Sequence, residues 1–479
     1  MNAARSEVLA LTALVAFAGC LGLSESQPLW ALILFAVLGL AYLAAFPTTA
    51  LRLTLLTLSC DRILTVKAGP ATVRLAHISL LVLFARLAAT RLARRQPVRI
   101  ATPLIAPVLF YFAAALLGMA LFLAVGGAAK SVGYLAWAAF DVFALVTVVL
   151  EATPNPQALR GVLRWWIGGA VLNACFGLIQ LAMGVAHMAV PLADQKLGEF
   201  PRINGFNYEP AYFALYLESV AAVLIGRWLA DRNQRASALL GVALLVPAAL
   251  SMSRSGWLGL IVLALVTCIW LTASMRGREL VLGSVAIATV LCLGLIVLPG
   301  RFLARAPVMA AAAMNPHEQS SSSPRLGMMG QAVEVFRSSP LLGVGLGGYA
   351  GYIADHPELT VVHLSKPDPT KVVTTNVWLE VLAETGVVGL FAVLWMVAVT
   401  LGALWRAARA RVEMSSWASG FFLAIALVFV VLYQFNQTLW RLDVWMLLAL
   451  GWAVAAMGQR SDAEDAAKLA LEAGPRVSR

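Results

Sequence analysis

Residues 103–125 read PLIAPVLFYFAAALLGMALFLAV, a run of apolar residues without a charged side chain. At a rise of about 1.5 Å per residue, a helix of about 20 residues crosses the ~30 Å hydrocarbon core of a bilayer. Backbone amides find no water in a bilayer, and the run lacks the polar and apolar alternation of a barrel strand. The run is therefore predicted to be a transmembrane helix.

Similar runs recur along most of the chain. The segment 50–66 is also apolar, but Arg52, Asp61 and Arg62 interrupt it, so it is re-entrant, interfacial or an extra span. The sequence predicts an all-α polytopic membrane protein with about 12–14 transmembrane helices. The candidate spans lie at about 6–24, 28–46, 71–90, 103–125, 131–150, 164–184, 208–230, 237–251, 255–273, 279–299, 385–405, 416–434 and 437–458.

Composition supports this class. Of the 479 residues, 61% are hydrophobic and 12% charged, whereas an average soluble domain has about 25% charged residues. The net charge of +11 comes from short basic clusters between apolar runs. Basic residues in such places set the membrane topology and bind anionic lipid headgroups. Nucleic-acid binding is therefore not predicted. The five cysteines lie in or near apolar runs without CxxC spacing, which implies neither a zinc site nor a disulfide framework.

Five arginine clusters fall on one face of the membrane when the spans are counted, and the positive-inside rule makes that face cytoplasmic. The clusters are Arg91, Arg94, Arg95 and Arg99; Arg160 and Arg164; Arg227, Arg232 and Arg235; Arg276 and Arg278; and Arg406, Arg409 and Arg411. The predicted organisation is a transmembrane region (1–299), a loop domain on the opposite, trans side (300–384), C-terminal transmembrane helices (385–458) and a cytoplasmic tail (459–479).

The trans-side loop of about 85 residues is too long for a simple connector. Leu326, Met329, Ala332, Val333 and Phe336 recur at helical spacing, so residues 325–338 are predicted to form a helix lying on the membrane face. A glycine-rich turn follows at 343–348. It is not read as a dinucleotide site, because it neither follows a parallel strand nor opens a βαβ unit.

Arginines gather in three trans-side motifs. One guanidinium group can bind two phosphate oxygens at once, and it keeps its positive charge. These motifs therefore favour a polyanionic ligand such as a diphosphate. The structural alternatives are that Arg202 reaches lipid headgroups and that Arg254 only caps a helical hairpin. The motifs are residues 202–214 (RINGFNYEPAYFA), residues 253–256 (SRSG), and Arg325 with residues 339–349 (SPLLGVGLGGY) and 375–386 (TNVWLEVLAETG).

Over about residues 200–405, the order of these motifs resembles the O-antigen ligase and polymerase superfamily. The resemblance implies a bacterial inner-membrane glycosyltransferase with a GT-C-like helical fold and a periplasmic active site. It also implies transfer of a glycan from undecaprenyl diphosphate to a sugar hydroxyl, with inversion and without a metal or cofactor.

The resemblance also assigns residue roles. Arg202 and Arg325 would hold the diphosphate, and Arg254, Tyr208, Thr375 and Asn376 would contact substrate. The family's histidine, the favoured general base, is replaced by Thr375. A histidine with an ordinary pKa near 6.5 suits base work, as does a carboxylate. The substitutes on the predicted trans face are His363 and Glu209, followed by His356, Glu380 and Glu384.

The leading prediction is a polysaccharide polymerase that joins undecaprenyl diphosphate-linked repeats, with membrane lipids as partners and a chain-length regulator as a further candidate partner. The first alternative is an O-antigen ligase whose acceptor is lipid A-core. The second alternative is a transporter of lipid-linked sugars. Transporters commonly contain inverted repeats and broken mid-membrane helices, whereas the polar residues here cluster at one face.

Overall fold

The computed structural model describes residues 39–62, 65–68, 71–96, 105–124, 130–193, 196–197, 200–273, 323–356, 374, 376–410, 414–434 and 439–472. The helices are α1 (Gly39–Ala45), α2 (Pro47–Thr57), α3 (Leu75–Ala93), α4 (Ile105–Ala124), α5 (Lys130–Ala152), α6 (Pro156–Val185), α7 (Pro210–Ala230), α8 (Arg235–Leu250), α9 (Arg254–Ala273), α10 (Ser323–Ser338), α11 (Tyr349–Asp355), α12 (Val377–Arg409), α13 (Ser415–Val430) and α14 (Leu442–Glu472). A 3-10 turn covers Leu432–Gln434. Two antiparallel hairpins pair β1 (Val66–Ala68) with β2 (Ala71–Val73) and β3 (Lys196–Leu197) with β4 (Phe200–Pro201).

Within the described residues, seven helices are long and apolar enough to cross a membrane, or eight if α1 and α2 form one bent span. The seven are α3, α4, α5, α6, α7, α12 and α13, while α8, α9 and the first part of α14 are shorter apolar helices. The prediction of an all-α polytopic membrane protein is confirmed. The spans predicted at 6–24 and 279–299, and most of 28–46, lie outside the described residues.

The ambiguous segment 50–66 begins as the second half of a broken helix. α1 and α2 meet at an angle of 112°. Pro47 opens α2 and Phe46 has non-helical backbone angles, because proline lacks the N–H that a continuous helix needs and clashes with the preceding turn. α2 then packs on α3 and α6, and its buried Thr54 hydroxyl lies 2.7 Å from Ser79 Oγ.

Helix α7 lies at the centre of the bundle. Of the membrane-length helices, it has the most deeply buried apolar window. It crosses α13 where Gly226 faces Gly420, and a Cβ on Gly420 would lie 2.2 Å from the Val223 carbonyl oxygen. Small residues let two helix backbones approach closely where hydrophobic packing alone gives little attraction in lipid. Since α7 begins directly after residue 209, the 202–209 motif is attached to this deeply buried helix.

The glycine-rich turn docks into a break in α12. Gly386 has φ +63° and ψ −164° inside this helix. Two hydrogen bonds join the turn to the break, from Val344 N to Ala383 O (3.0 Å) and from Gly345 N to Glu384 O (2.9 Å), and Val387 N donates to Pro340 O (2.9 Å). The two glycine-containing motifs of the loop therefore form one interlocked unit.

The helix predicted at 325–338 is observed as α10. Its buried Ala332 and Val335 form a small second core with Val344, Tyr349, Ile353 and Ala383. α12 begins at Val377 rather than near residue 385, so α10 has a helix to pack on. The segment 300–384, predicted to be a trans-side loop, is thus partly folded onto the bundle, and its residues 300–322 and 357–373 lie outside the described residues.

Glu218 is a buried carboxyl group in the middle of α7. Neither carboxylate oxygen has a hydrogen-bond partner among the described residues, and a Cβ on Gly259 of α9 would lie 2.1 Å from Oε2. A buried polar group without a partner costs about 1–3 kcal/mol. Glu218→Met is therefore expected to raise Tm, measured by thermal unfolding in detergent. A lower Tm would show that the carboxyl group contributes to stability.

Candidate active site

Residues 202–209 are fastened to α6 by two buried amide side chains, Gln180 and Asn173. Gln180 Oε1 accepts hydrogen bonds from the backbone N–H groups of Asn204 (3.1 Å) and Gly205 (2.8 Å). Asn173 Oδ1 accepts from Phe206 N (2.9 Å), and Asn173 Nδ2 donates to Asn207 Oδ1 (2.9 Å). Buried backbone groups need such partners outside regular structure. The amides give this irregular segment one defined conformation.

Gly205 makes that conformation possible. It has φ +55°, and a Cβ would lie 2.0 Å from Asn173 Oδ1 and 2.6 Å from the Phe213 ring. L-residues with side chains rarely adopt this φ.

A Gly205→Ala variant should therefore displace the 202–209 segment, lowering glycan transfer and also Tm. The measurements are product formation per folded molecule and thermal unfolding. Gly161→Ala in α6, where a Cβ meets nothing within 4 Å, is the matched control and should behave as wild type. Normal values for Gly205→Ala would mean that this backbone conformation is not needed.

Arg202 and the 253–256 motif lie next to each other. The half-buried Arg202 donates from Nη2 to the Met252 carbonyl oxygen at 3.2 Å. Met252 belongs to the turn between α8 and α9, and the exposed Arg254 begins α9. The turn is held by a 2.9 Å contact between the Ser253 and Ser255 hydroxyls. Two arginines that are distant in sequence thus approach one region of the surface.

Tyr208 and Glu209 end the 202–209 segment, just before α7 begins. Tyr208 is 44% exposed, and the Arg62 guanidinium lies 5.5 Å from its ring centroid. The Glu209 carbonyl oxygen accepts from Tyr212 N and Phe213 N at the start of α7. Its half-buried side chain makes no capping hydrogen bond. Arginine, tyrosine and carboxylate side chains therefore occur together at the start of α7.

A cluster of four charged side chains, three of them buried and one half-buried, adjoins this segment, and we call it the ion quartet. It consists of Asp61, Arg74, Arg441 and Asp443. Arg441 Nη2 lies 3.0 Å from Asp61 Oδ2, Arg441 Nε donates to Asp443 Oδ1 at 3.0 Å, and Arg74 Nη1 lies 2.8 Å from Asp61 Oδ1. Burial raises the pKa of the Asp61 carboxyl, but Arg441 and Arg74 outweigh burial and hold that pKa below its ordinary value. The quartet joins the segment that precedes α3 to the start of α14.

Asn376 serves as the N-cap of α12. Its Oδ1 accepts from the N–H groups of Trp378 (2.9 Å) and Leu379 (3.1 Å). Its Nδ2 lies 3.2 Å from both the carbonyl oxygen and Oε1 of Gln434. Asparagine caps helices well because its oxygen replaces the missing intrahelical acceptor. In this structure the Asn376 side chain links α12 to the end of α13.

Two of the other candidate bases, Glu384 and His356, have structural partners. The buried Glu384 carboxylate accepts hydrogen bonds from the backbone N–H groups of Gly347 and Tyr349 at the start of α11. The His356 ring stacks on Tyr352 at a centroid distance of 4.1 Å, with Nδ1 2.9 Å from the Tyr352 carbonyl oxygen. Both groups therefore secure the folded part of the loop.

The structure brings Arg202 into contact with the turn that precedes Arg254, and Tyr208 and Glu209 end the same segment at the start of α7. Arg325 lies in the first turn of α10, but its side chain, His363 and Thr375 lie outside the described residues. Sequence reasoning missed Arg62 as a neighbour of Tyr208 and missed the ion quartet. The signal was present in Asp61 and Arg62, the charges that interrupt the apolar segment 50–66, because ionisable residues beside a bilayer tend to have functional partners.

Residues 238–394 match the family model described as O-antigen ligase. The chain carries an O-antigen ligase domain. Over these residues the resemblance to the O-antigen ligase and polymerase superfamily is confirmed. The members of that superfamily are glycosyltransferase-like enzymes. The O-antigen ligase domain contains Arg254, Arg325 and the interlocked glycine motifs, while the Arg202 segment precedes it. No curated protein matches the chain.

Proposed function

We propose that this protein is a polysaccharide polymerase that joins undecaprenyl diphosphate-linked glycan repeats on the periplasmic face of the bacterial inner membrane. The observation that carries the proposal is the approach of Arg202 to the 252–254 turn within hydrogen-bonding distance of Met252. This contact supports the proposal because the exposed Arg254 follows Met252 by two residues, and a pair of permanently charged guanidinium groups would suit a diphosphate.

The reaction is a metal-independent inverting transfer. An acceptor sugar hydroxyl attacks the anomeric carbon of the donor glycan, and the bond from that carbon to the diphosphate oxygen breaks. Undecaprenyl diphosphate leaves with the bonding electron pair, so negative charge grows on its phosphate oxygens. Arg202, Arg254 and Arg325 stabilise that charge, and fixed cationic donors of this kind supply a large part of catalysis.

Glu209 accepts the proton of the attacking hydroxyl in this proposal. Its carboxylate is half-buried, makes no capping hydrogen bond and adjoins Tyr208. The capping role of Glu384 and the stacked ring of His356 make those two groups weaker candidates. A Glu209→Gln variant with normal turnover would exclude Glu209 and leave His363 and Glu380 as the candidate bases.

An O-antigen ligase is the second candidate, because the family model that matches residues 238–394 is described as O-antigen ligase. The two activities differ in the acceptor, which is another carrier-linked glycan for a polymerase and lipid A-core for a ligase. A deletion strain separates them. Single repeats on the lipid acceptor are expected for loss of a polymerase, whereas long chains left on the carrier would identify a ligase.

A further inference from the structure

The ion quartet has no role in the proposed chemistry, yet it touches the active-site segment. We propose that Arg441 is a positioning residue, which holds the 206–209 segment in its active position through Asp61. Arg441 is 5% exposed, so in this structure it acts through its neighbours rather than on substrate. The catalytic part of the proposal rests on the proposed glycan transfer.

The physical link runs through Asp61. Asp61 N donates to the Phe206 carbonyl oxygen at 3.0 Å, and Asn207 Nδ2 donates to Asp61 Oδ2 at 3.4 Å. Arg441 approaches the same Oδ2 at 3.0 Å, and its guanidinium lies 4.2 Å from the Tyr212 ring centroid. Tyr208 and Glu209 therefore lie between two contacts of Arg441. One contact is with Asp61, which binds residues 206–207, and the other is with Tyr212 in the first turn of α7.

Stability alone does not account for the quartet. Apolar residues of similar volume often replace a buried ion group without loss of stability, whereas removing a single partner leaves an uncompensated charge. The charges of the two aspartates and the two arginines cancel. Arg441 contacts two different carboxylates, one with Nε and one with Nη2. The planar guanidinium supplies these donors in a fixed geometry that a lysine ammonium cannot reproduce. The Arg441 guanidinium therefore fixes the positions of the Asp61 and Asp443 carboxylates and also neutralises their charge.

The test compares Arg441→Lys with Arg91→Lys, a matched control. Arg91 forms an ion pair with Glu151 between α3 and α5, with both side chains largely buried, away from the active-site segment. Because small displacements of positioning groups can cost about 100-fold in rate, Arg441→Lys is expected to lower kcat by about 10- to 100-fold. KM for the lipid-linked donor should be unchanged, and Arg91→Lys should leave kcat unchanged.

A second measurement does not depend on activity. Tyr208→Cys is introduced into a chain whose five cysteines are replaced by alanine, and its labelling rate with a membrane-impermeant maleimide is measured. Adding Arg441→Lys should change the rate severalfold, and adding Arg91→Lys should not. If wild-type protein transferred no glycan, this arm would still test the positioning role.

Two outcomes would overturn the proposal. One is an unchanged labelling rate together with wild-type kcat in Arg441→Lys. The other is a loss of folded protein while kcat per folded molecule and labelling stay at wild-type values, because Arg441 would then contribute to folding alone.

Discussion

Replacing Arg202 by alanine is expected to lower kcat for glycan transfer by about 10²- to 10³-fold, the usual effect of removing a fixed donor to a developing negative charge. Arg202 reaches the Met252 carbonyl oxygen beside Arg254, so its loss removes a permanent positive charge from the proposed diphosphate site. The measurement is steady-state transfer from undecaprenyl diphosphate-linked glycan by purified protein.

Two control variants define the result. Arg202→Lys keeps the charge but loses the fork of N–H donors, so it should recover only part of the activity. Arg337→Ala removes an exposed arginine that pairs with Glu334 on α10 and should leave transfer unchanged. Normal turnover by Arg202→Ala would rule out its role in binding the diphosphate.

Gly386→Ala is expected to prevent accumulation of folded protein. Its φ of +63° and ψ of −164° fall in a region that is essentially restricted to glycine. A Cβ would lie 2.2 Å from the Leu341 carbonyl oxygen and 2.3 Å from its carbonyl carbon. The variant must therefore displace the 340–345 turn from the break in α12. The measurements are the yield of monodisperse protein and Tm in detergent.

Gly330→Ala is the matched control for this variant. Gly330 lies exposed in α10, and a Cβ there meets nothing within 4 Å. Alanine is preferred over glycine in a helix by about 1 kcal/mol, so this variant should be as stable as wild type or more so. A folded, stable Gly386→Ala protein would contradict the interlocked arrangement of the two motifs.

Much of the fold follows from the sequence because a bilayer leaves few choices. A long apolar run without alternation, such as 103–125, is restricted to a helix, and α4 occupies Ile105–Ala124. The break between α1 and α2 and the early start of α12 were harder to predict. The break depends on Pro47, and the start of α12 depends on the Asn376 cap. Both also depend on contacts between segments that are distant in sequence.

The site was partly predictable for the same reason. Counting spans puts Arg202 and Arg254 on one side, and the structure then brings their segments into contact. The pairing of Asp61 with Arg441 could not be predicted, because nothing in one sequence links residues so far apart. Within the 375–386 motif, Glu384 accepts hydrogen bonds at the start of α11 and Gly386 receives the glycine-rich turn, and neither contact could be predicted from the sequence.

The central claim is that this protein forms glycosidic bonds by releasing undecaprenyl diphosphate at the face that contains Arg202 and Arg254. The most direct test incubates the purified protein in lipid nanodiscs with labelled carrier-linked repeats and separates the products by size. The account predicts longer glycans on the carrier with an equal release of undecaprenyl diphosphate, both lost in Arg202→Ala. Substrate that binds but is recovered intact, without any new glycosidic bond, would contradict it.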